Sequence, residues 1–223
     1  MNKSLETELG ELMVSAYTHQ KNAETSKAIQ AWHEVLKHPA CHKELAANCH
    51  LSLGNLHLMQ GNHDLAIESM GESIKANPNS SEAYFCIAYM EQEKENFAQA
   101  AEYFEQALAI NNQDAGSYNN LGNCYDRLDK LELAIEAYTQ ALSLDGKYIA
   151  ALYNRGNAYS KIGKDDLAYD DLTQAIGLDE NFYQAYYNRG TLLKRLGRDA
   201  ESEADLAKAK ALAQQELEQK TQH

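Results

Sequence analysis

AGSYNNLGNCYDRLDKLELAIEAYTQALSLDGKY, residues 115–148, carries two apolar stripes at helical spacing. The first is Tyr118, Leu121, Gly122 and Tyr125. The second is Leu131, Ala134, Ile135, Tyr138, Ala141 and Leu142. Both follow the i, i+3, i+4, i+7 rule of a helix buried on one side. The polar break from Asp126 to Lys130 separates them, so the stretch reads as helix, turn, helix. The same unit returns every 34 residues: Gly122, Gly156 and Gly190 are each one period apart, and Gly54 lies two periods before Gly122. Ala66, Ala100, Ala134 and Ala168 form a second ladder, whose next rung is Ser202. Units 47–80, 81–114, 115–148, 149–182 and 183–216 follow without a gap. An earlier unit fits 9–42, with Ala28, Trp32 and His38-Pro39 in the later anchor positions. A helical repeat of this period stacks two-helix units into one domain, because no unit can bury its apolar face alone.

The departures from the period are informative. Four extra residues, Lys43 to Ala46, follow the first unit and predict a helix that begins one turn early. Gly61, Gly163 and Gly197 occupy the break inside their units, as expected of a left-handed helix stop. Asn77-Pro78, Asn111-Asn112 and Asp145-Gly146 separate successive units. After the last unit the stripe continues through Leu212 and Leu217, so the final helix is expected to lengthen. Residues 217–223 then form its end and a tail, with fraying expected over 218–223. A glycine inside a helix costs about 0.5–1 kcal/mol relative to alanine. Its recurrence at one phase therefore points to backbones that approach closely.

These units resemble tetratricopeptide repeats (TPR). The family pattern places a large residue, Leu-Gly, an aromatic, Ala, an aromatic, Ala and Pro at fixed offsets. Tyr118, Leu121-Gly122, Tyr125, Ala134, Tyr138 and Ala141 occupy them here, and Pro78 holds the proline position in 47–80. The match runs over nearly all of residues 9–216. The resemblance implies an all-α, right-handed superhelical solenoid whose concave groove binds peptides.

Numbering each unit from 1, slots 4, 7, 8 and 11 of the first helix should be buried. Slots 2, 6, 9 and 13 then fall on the opposite side, which the resemblance assigns to the groove. Slot 6 holds Asn120, Asn154 and Asn188, slot 9 holds Asn123, Asn157 and Thr191, and slot 13 holds Arg127, Lys161 and Arg195. An amide both donates and accepts, so a row of them could grip an extended backbone. The basic row would favour acidic residues in the partner. In 81–114 the groove slots hold Glu82, Cys86, Tyr89 and Glu93, with Phe85 beside them. In 47–80 they hold Asn48, Ser52, Asn55 and Met59. The N-terminal half is thus apolar or acidic, and Phe85 and Tyr89 are expected either in the groove or packed between units. Arg155 and Arg189 replace the usual Leu of slot 7, which predicts wetter faces there.

The formal net charge of -13 argues against wholesale binding to nucleic acid or to an anionic membrane. Cys41, Cys49, Cys86 and Cys124 show no CxxC pairing and read as reduced thiols. No apolar run suits a signal peptide or a membrane span, so cytoplasm is the expected compartment. His38, Cys41, His42, Cys49, His50 and His57 match no compact zinc spacing, and His50 and His57 fall in the aromatic slots 4 and 11. Asp165-Asp166 and Asp170-Asp171 flank a second-helix start, where carboxylates suit the helix dipole. No phosphate loop or nucleophile elbow is present. The expectation is a non-catalytic interaction module without metal or cofactor, binding a protein or peptide. Self-assembly through the terminal helices is the alternative, and an enzyme with an unrecognised site the weaker one.

Overall fold

The computed structural model describes residues 4–221. Among them are twelve α-helices and no strand. They fall into two compact units, Met1–Asn112 and Gln113–His223. The first unit holds α1 (Leu5–Lys21), α2 (Thr25–Lys37), α3 (Lys43–Met59), α4 (His63–Ala76), α5 (Ser81–Glu93) and α6 (Phe97–Ile110). The second holds α7 (Ala115–Arg127), α8 (Leu131–Leu144), α9 (Ile149–Lys161), α10 (Asp165–Leu178), α11 (Tyr183–Arg195) and α12 (Asp199–Thr221). Consecutive helices pair into six hairpins, one per repeat. The first helix of each pair is its A helix and the second its B helix. Helix α3 begins at Lys43, so the four extra residues do add a turn, and the imidazole of His42 caps it by accepting from the Leu45 N–H. Helix α12 runs for 23 residues, to Thr221. Gln222 and His223, the end of the expected tail, lie outside the described residues.

Each hairpin turns through one residue with positive φ. Gly61, Gly163 and Gly197 supply it at 73–74°, while Ala23, Glu95 and Asp129 adopt it at 57–60° without the glycine freedom. The joints between repeats also share one device. Asn77, Asp145 and Asp179 end their B helices in extended conformation, and each carboxylate or amide oxygen accepts from the N–H two residues on. These Asx turns stop the helix and start the next repeat.

The core of a hairpin is the contact of slot 8 with the large side chain at slot 24, beside the small residue of slot 20. Ala66, Ala100, Ala134 and Ala168 have no exposed surface. A methyl group on Gly122 would lie 2.5–2.9 Å from the ring of Tyr138, and one on Gly54 would lie 2.6 Å from the terminal methyl of Met70. Ser202, on the alanine ladder, is tolerated because its hydroxyl donates to the Gly190 carbonyl at 2.8 Å.

Burial is shifted from the sequence expectation. Slots 3 and 10 are buried from the second repeat onward, as in Cys49 and Leu56, Ala83 and Met90, or Ala185 and Leu192, while Glu11 and Thr18 of the first repeat are exposed. Slots 4 and 11 are mostly half-buried, as in Tyr118 and Tyr125. An A helix packs against its own B helix and against neighbouring helices of the stack, so its buried arc is wider than one stripe.

Arg155 and Arg189 correct the expectation of wetter faces. Arg155 forms a bidentate pair with Asp171, both bonds 2.8 Å, and donates to Thr139 at 3.1 Å. Arg189 repeats this with Asp205 at 2.7 and 2.8 Å and with Thr173 at 3.0 Å. Asp171 is only 6% exposed, so it is a buried partner, not a dipole-compensating surface residue. The repeat 115–148 has Leu121 and Ala137, both buried, in the same two slots. Leu with Ala and Arg with Asp are thus alternative fillings of one position. Each Arg reaches back to the preceding B helix and so links neighbouring repeats.

Two predictions follow from this packing. Gly122→Ala should destabilise by about 1–3 kcal/mol, because the Tyr138 ring is buried and cannot yield. Gly54→Ala should be near neutral, because the flexible Met70 side chain can move; chemical denaturation of both variants measures the difference. Asp171→Ala should cost about 2–4 kcal/mol by leaving Arg155 half-buried and unpaired. Adding Arg155→Leu, which copies the Leu121 and Ala137 filling, should restore most of that loss in a double-mutant cycle.

Candidate functional site

Side-chain hydrogen bonds bridge the outer slots of neighbouring A helices, from α3 to α5 and from α7 through α9 to α11. In the second unit slot 6 reaches back to slots 5 and 9 of the preceding repeat. The Asn154 amide donates to Asn119 at 3.1 Å and to Asn123 at 2.9 Å. The Asn188 amide donates to the Tyr153 hydroxyl at 3.0 Å and to Asn157 at 2.7 Å. Both N–H groups of each amide are therefore engaged within the stack. Asn123 also accepts from the Tyr138 hydroxyl at 2.9 Å, so the ring that fills the Gly122 gap holds a residue of the outer row. Burial pushes the Tyr138 hydroxyl pKa well above its ordinary value, so it stays protonated as that donor. Asn120, half-buried, makes no side-chain hydrogen bond among the described residues. The carbonyl oxygens of Asn154 and Asn188 make no hydrogen bond among the described residues.

The basic row is also partly engaged. Lys161 bonds both oxygens of Asp126, at 2.6 and 2.7 Å. Arg195 donates to the Ser160 hydroxyl at 3.0 Å and pairs with Asp165. Arg127 is exposed at the end of α7. Asn119, Asp126 and Tyr153 are partners that the outer slots alone do not name, although each lies 35 residues, one repeat plus one, before the ladder residue it bonds.

In the first unit the same geometry holds with different chemistry. Asn55 of slot 9 donates to Glu82 at 3.2 Å, and the Cys86 thiol lies 3.8 Å from the Asn55 oxygen. Phe85 is half-buried and meets Phe104 edge-on at 5.7 Å, so it packs within its own hairpin. Tyr89 is 40% exposed and Met59 is 72% exposed.

Among the described residues no group of three or more His, Cys, Asp or Glu side chains is placed to hold a metal ion. Burial pushes the Cys49 and Cys124 thiols up to about 12 and Cys86 up to about 11, far from nucleophilic thiolates at neutral pH. No helix among the described residues is long and apolar enough to cross a membrane.

Helix hairpins joined at a Gly/Ala contact, with one outer face free to vary, are the tetratricopeptide architecture. Family models described as Tetratricopeptide repeat match residues 14–85, 81–114, 115–148, 149–182 and 183–216. The chain belongs to the tetratricopeptide repeat family. It is 30% identical over 90 residues to the general transcriptional corepressor trfA of Dictyostelium discoideum, a match covering 40% of this chain and 6% of that protein. This chain therefore corresponds to a small part of the length of that relative. Its fold resembles that of MamA, with a TM-score of 0.72 and 23% identity over 74% of this chain and 97% of that one. It also resembles YrrB, a TPR protein with an unusual peptide-binding site, with a TM-score of 0.74 and 19% identity over 83% and 93%.

The histidines of the first unit give a pH prediction. His50 and His57 are half-buried in α3, and the buried Nδ1 of His57 has no hydrogen-bond partner among the described residues. Burial holds both imidazoles below their ordinary pKa. His33 of α2 lowers both further, while Glu72 and Glu68 of α4 oppose the shift at His50 and His57 respectively. The unfolded chain then takes up protons first as pH falls. Their contribution is complete above the unfolded value of about 6.5 and is lost as pH drops through the depressed folded values. The stability of α3, read as amide protection factors corrected for the pH dependence of intrinsic exchange, should therefore fall as pH drops below about 6.5, and His57→Phe should flatten that dependence.

Proposed function

We propose that this chain is a non-catalytic interaction module that holds a peptide or partner segment across the exposed faces of its A helices. The observation that carries this reading is the cross-repeat amide row of the second unit. Asn154 and Asn188 are fixed by their own N–H bonds, so their carbonyl oxygens stand in register without further ordering cost. A ligand backbone N–H could bond each of them, at a net gain of about 0.5–1.5 kcal/mol per bond. Asn120 adds an uncommitted amide, and Tyr187, 58% exposed, adds aromatic area beside Asn188. A ligand carboxylate at the basic row must compete with Asp126 and Asp165, so an acidic preference rests on exchange of those pairs.

The likeness to a TPR protein with a peptide-binding site and to part of a corepressor supports the same class of role. Peptides selected from a random library against the full chain provide the test. Asn120→Ala with Tyr187→Ala should weaken a selected peptide by about tenfold, or ~1.4 kcal/mol, with no change in thermal midpoint. Unchanged affinity would remove this face from the binding site. Light scattering of the same samples addresses self-assembly through α12, where Leu217 is 64% exposed; a strict monomer at every concentration excludes it.

A further inference from the structure

The first unit presents a different surface in the same slots. Met59 closes α3 at slot 13 with 72% of its surface exposed, and Tyr89 stands at slot 9 of α5 with 40% exposed. Val14 and Tyr17 take slots 6 and 9 of α1 in the repeat register and are 66% and 52% exposed. In the second unit these slots hold only Asn, Thr, Lys and Arg. Exposed methionine and tyrosine side chains at the outer slots of α3 and α5 offer adaptable apolar surface.

Carboxylates accompany this platform. Glu82 and Glu93 flank Tyr89 on α5, and both are exposed. Asn55 orients Glu82 with a single 3.2 Å bond, and Glu93 has no cationic partner among the described residues. Lys94 is turned away to Asp64 at 2.9 Å, leaving Lys21 at slot 13 of α1 as the cation of these slots. Residues 1–112 contain 15 acidic and 7 basic residues, a formal net charge of -8, so the surrounding field has the same sign.

We infer that the A-helix face of the first unit binds a cationic amphipathic segment of a partner protein. Its apolar side chains cover Met59 and Tyr89, and its Lys or Arg residues meet Glu82 and Glu93. An acidic segment would bring like charge to two exposed carboxylates in a negative field. A neutral polar segment would leave the apolar platform in water and the carboxylates uncompensated. The inference rests on the reading that A-helix faces are the docking surface, and it assigns the chemistry of one half of them.

The probes are two fluorescein-labelled amphipathic peptides of identical apolar pattern, one built from Leu and Lys and the other from Leu and Glu. Fluorescence anisotropy with the full chain reports affinity. The Leu–Lys peptide should bind. The pair Met59→Ser and Tyr89→Ser, and separately the pair Glu82→Gln and Glu93→Gln, should each weaken it by about tenfold or more. A control pair of equal charge change at exposed sites on other helices, Glu34→Gln and Glu102→Gln, should leave affinity unchanged; equal weakening by this control means attraction to net charge alone and overturns the inference. Preference for the Leu–Glu peptide, still lost on Met59→Ser with Tyr89→Ser, overturns the cationic assignment while the docking face stands. Binding untouched by either face pair overturns both, and absence of binding by both peptides overturns the inference. All substituted side chains are exposed, so thermal midpoints should remain unchanged.

Discussion

The structure depends on the distance of closest approach between the two helices of a hairpin. That distance is set where Gly122 faces Tyr138, with Ala134 buried beside them. There is no room for one more carbon atom, and the ring takes the space the glycine leaves. The consequence reaches the surface. The Tyr138 hydroxyl donates to Asn123, and Asn123 accepts from Asn154 of the next repeat. A steric rule in the core thereby fixes the position of an amide on the outer face.

Neighbouring repeats in the second unit are joined by links on two sides of the A helix. On one side Arg155 and Arg189 reach the preceding B helix while bound to an aspartate of their own hairpin. On the other, Asn154 and Asn188 reach the preceding A helix. Each link leaves a polar group satisfied that would be costly to bury alone. The same residues that hold the stack therefore also shape the surface a partner would meet. A ladder that looks like a ligand site in sequence is part scaffold: the Asn154 and Asn188 donors and the Asn123 and Asn157 acceptors are spent within the stack.

The two units use this frame differently. The second offers amides, with cations already held by neighbouring carboxylates. The first offers exposed methionine and tyrosine beside uncompensated glutamates. Its α3 also carries half-buried imidazoles at slots 4 and 11, whereas the second unit has guanidinium–carboxylate pairs within its hairpins. Acid should thus bear on the first unit more than on the second.

The 34-residue period, the small residues at slots 8 and 20, the early start of α3, the long α12 and the glycine turns were all legible in the sequence. Each is a local or periodic property: a spacing, a missing side chain, a helix stop. What a side chain does at its slot was not legible in the same way. Arg155 reads as a wet substitution for Leu until Asp171, sixteen residues later, is brought beside it. Asn154 reads as a free amide until Asn119 and Asn123 arrive from the preceding repeat. Lys161 reads as an open cation until Asp126 is found against it. The sequence by itself determined which residues repeat, and so the fold and the faces. Only the tertiary structure decided which polar groups on those faces are already paired, because the pairing is made across helices and depends on distances that a one-dimensional period does not contain.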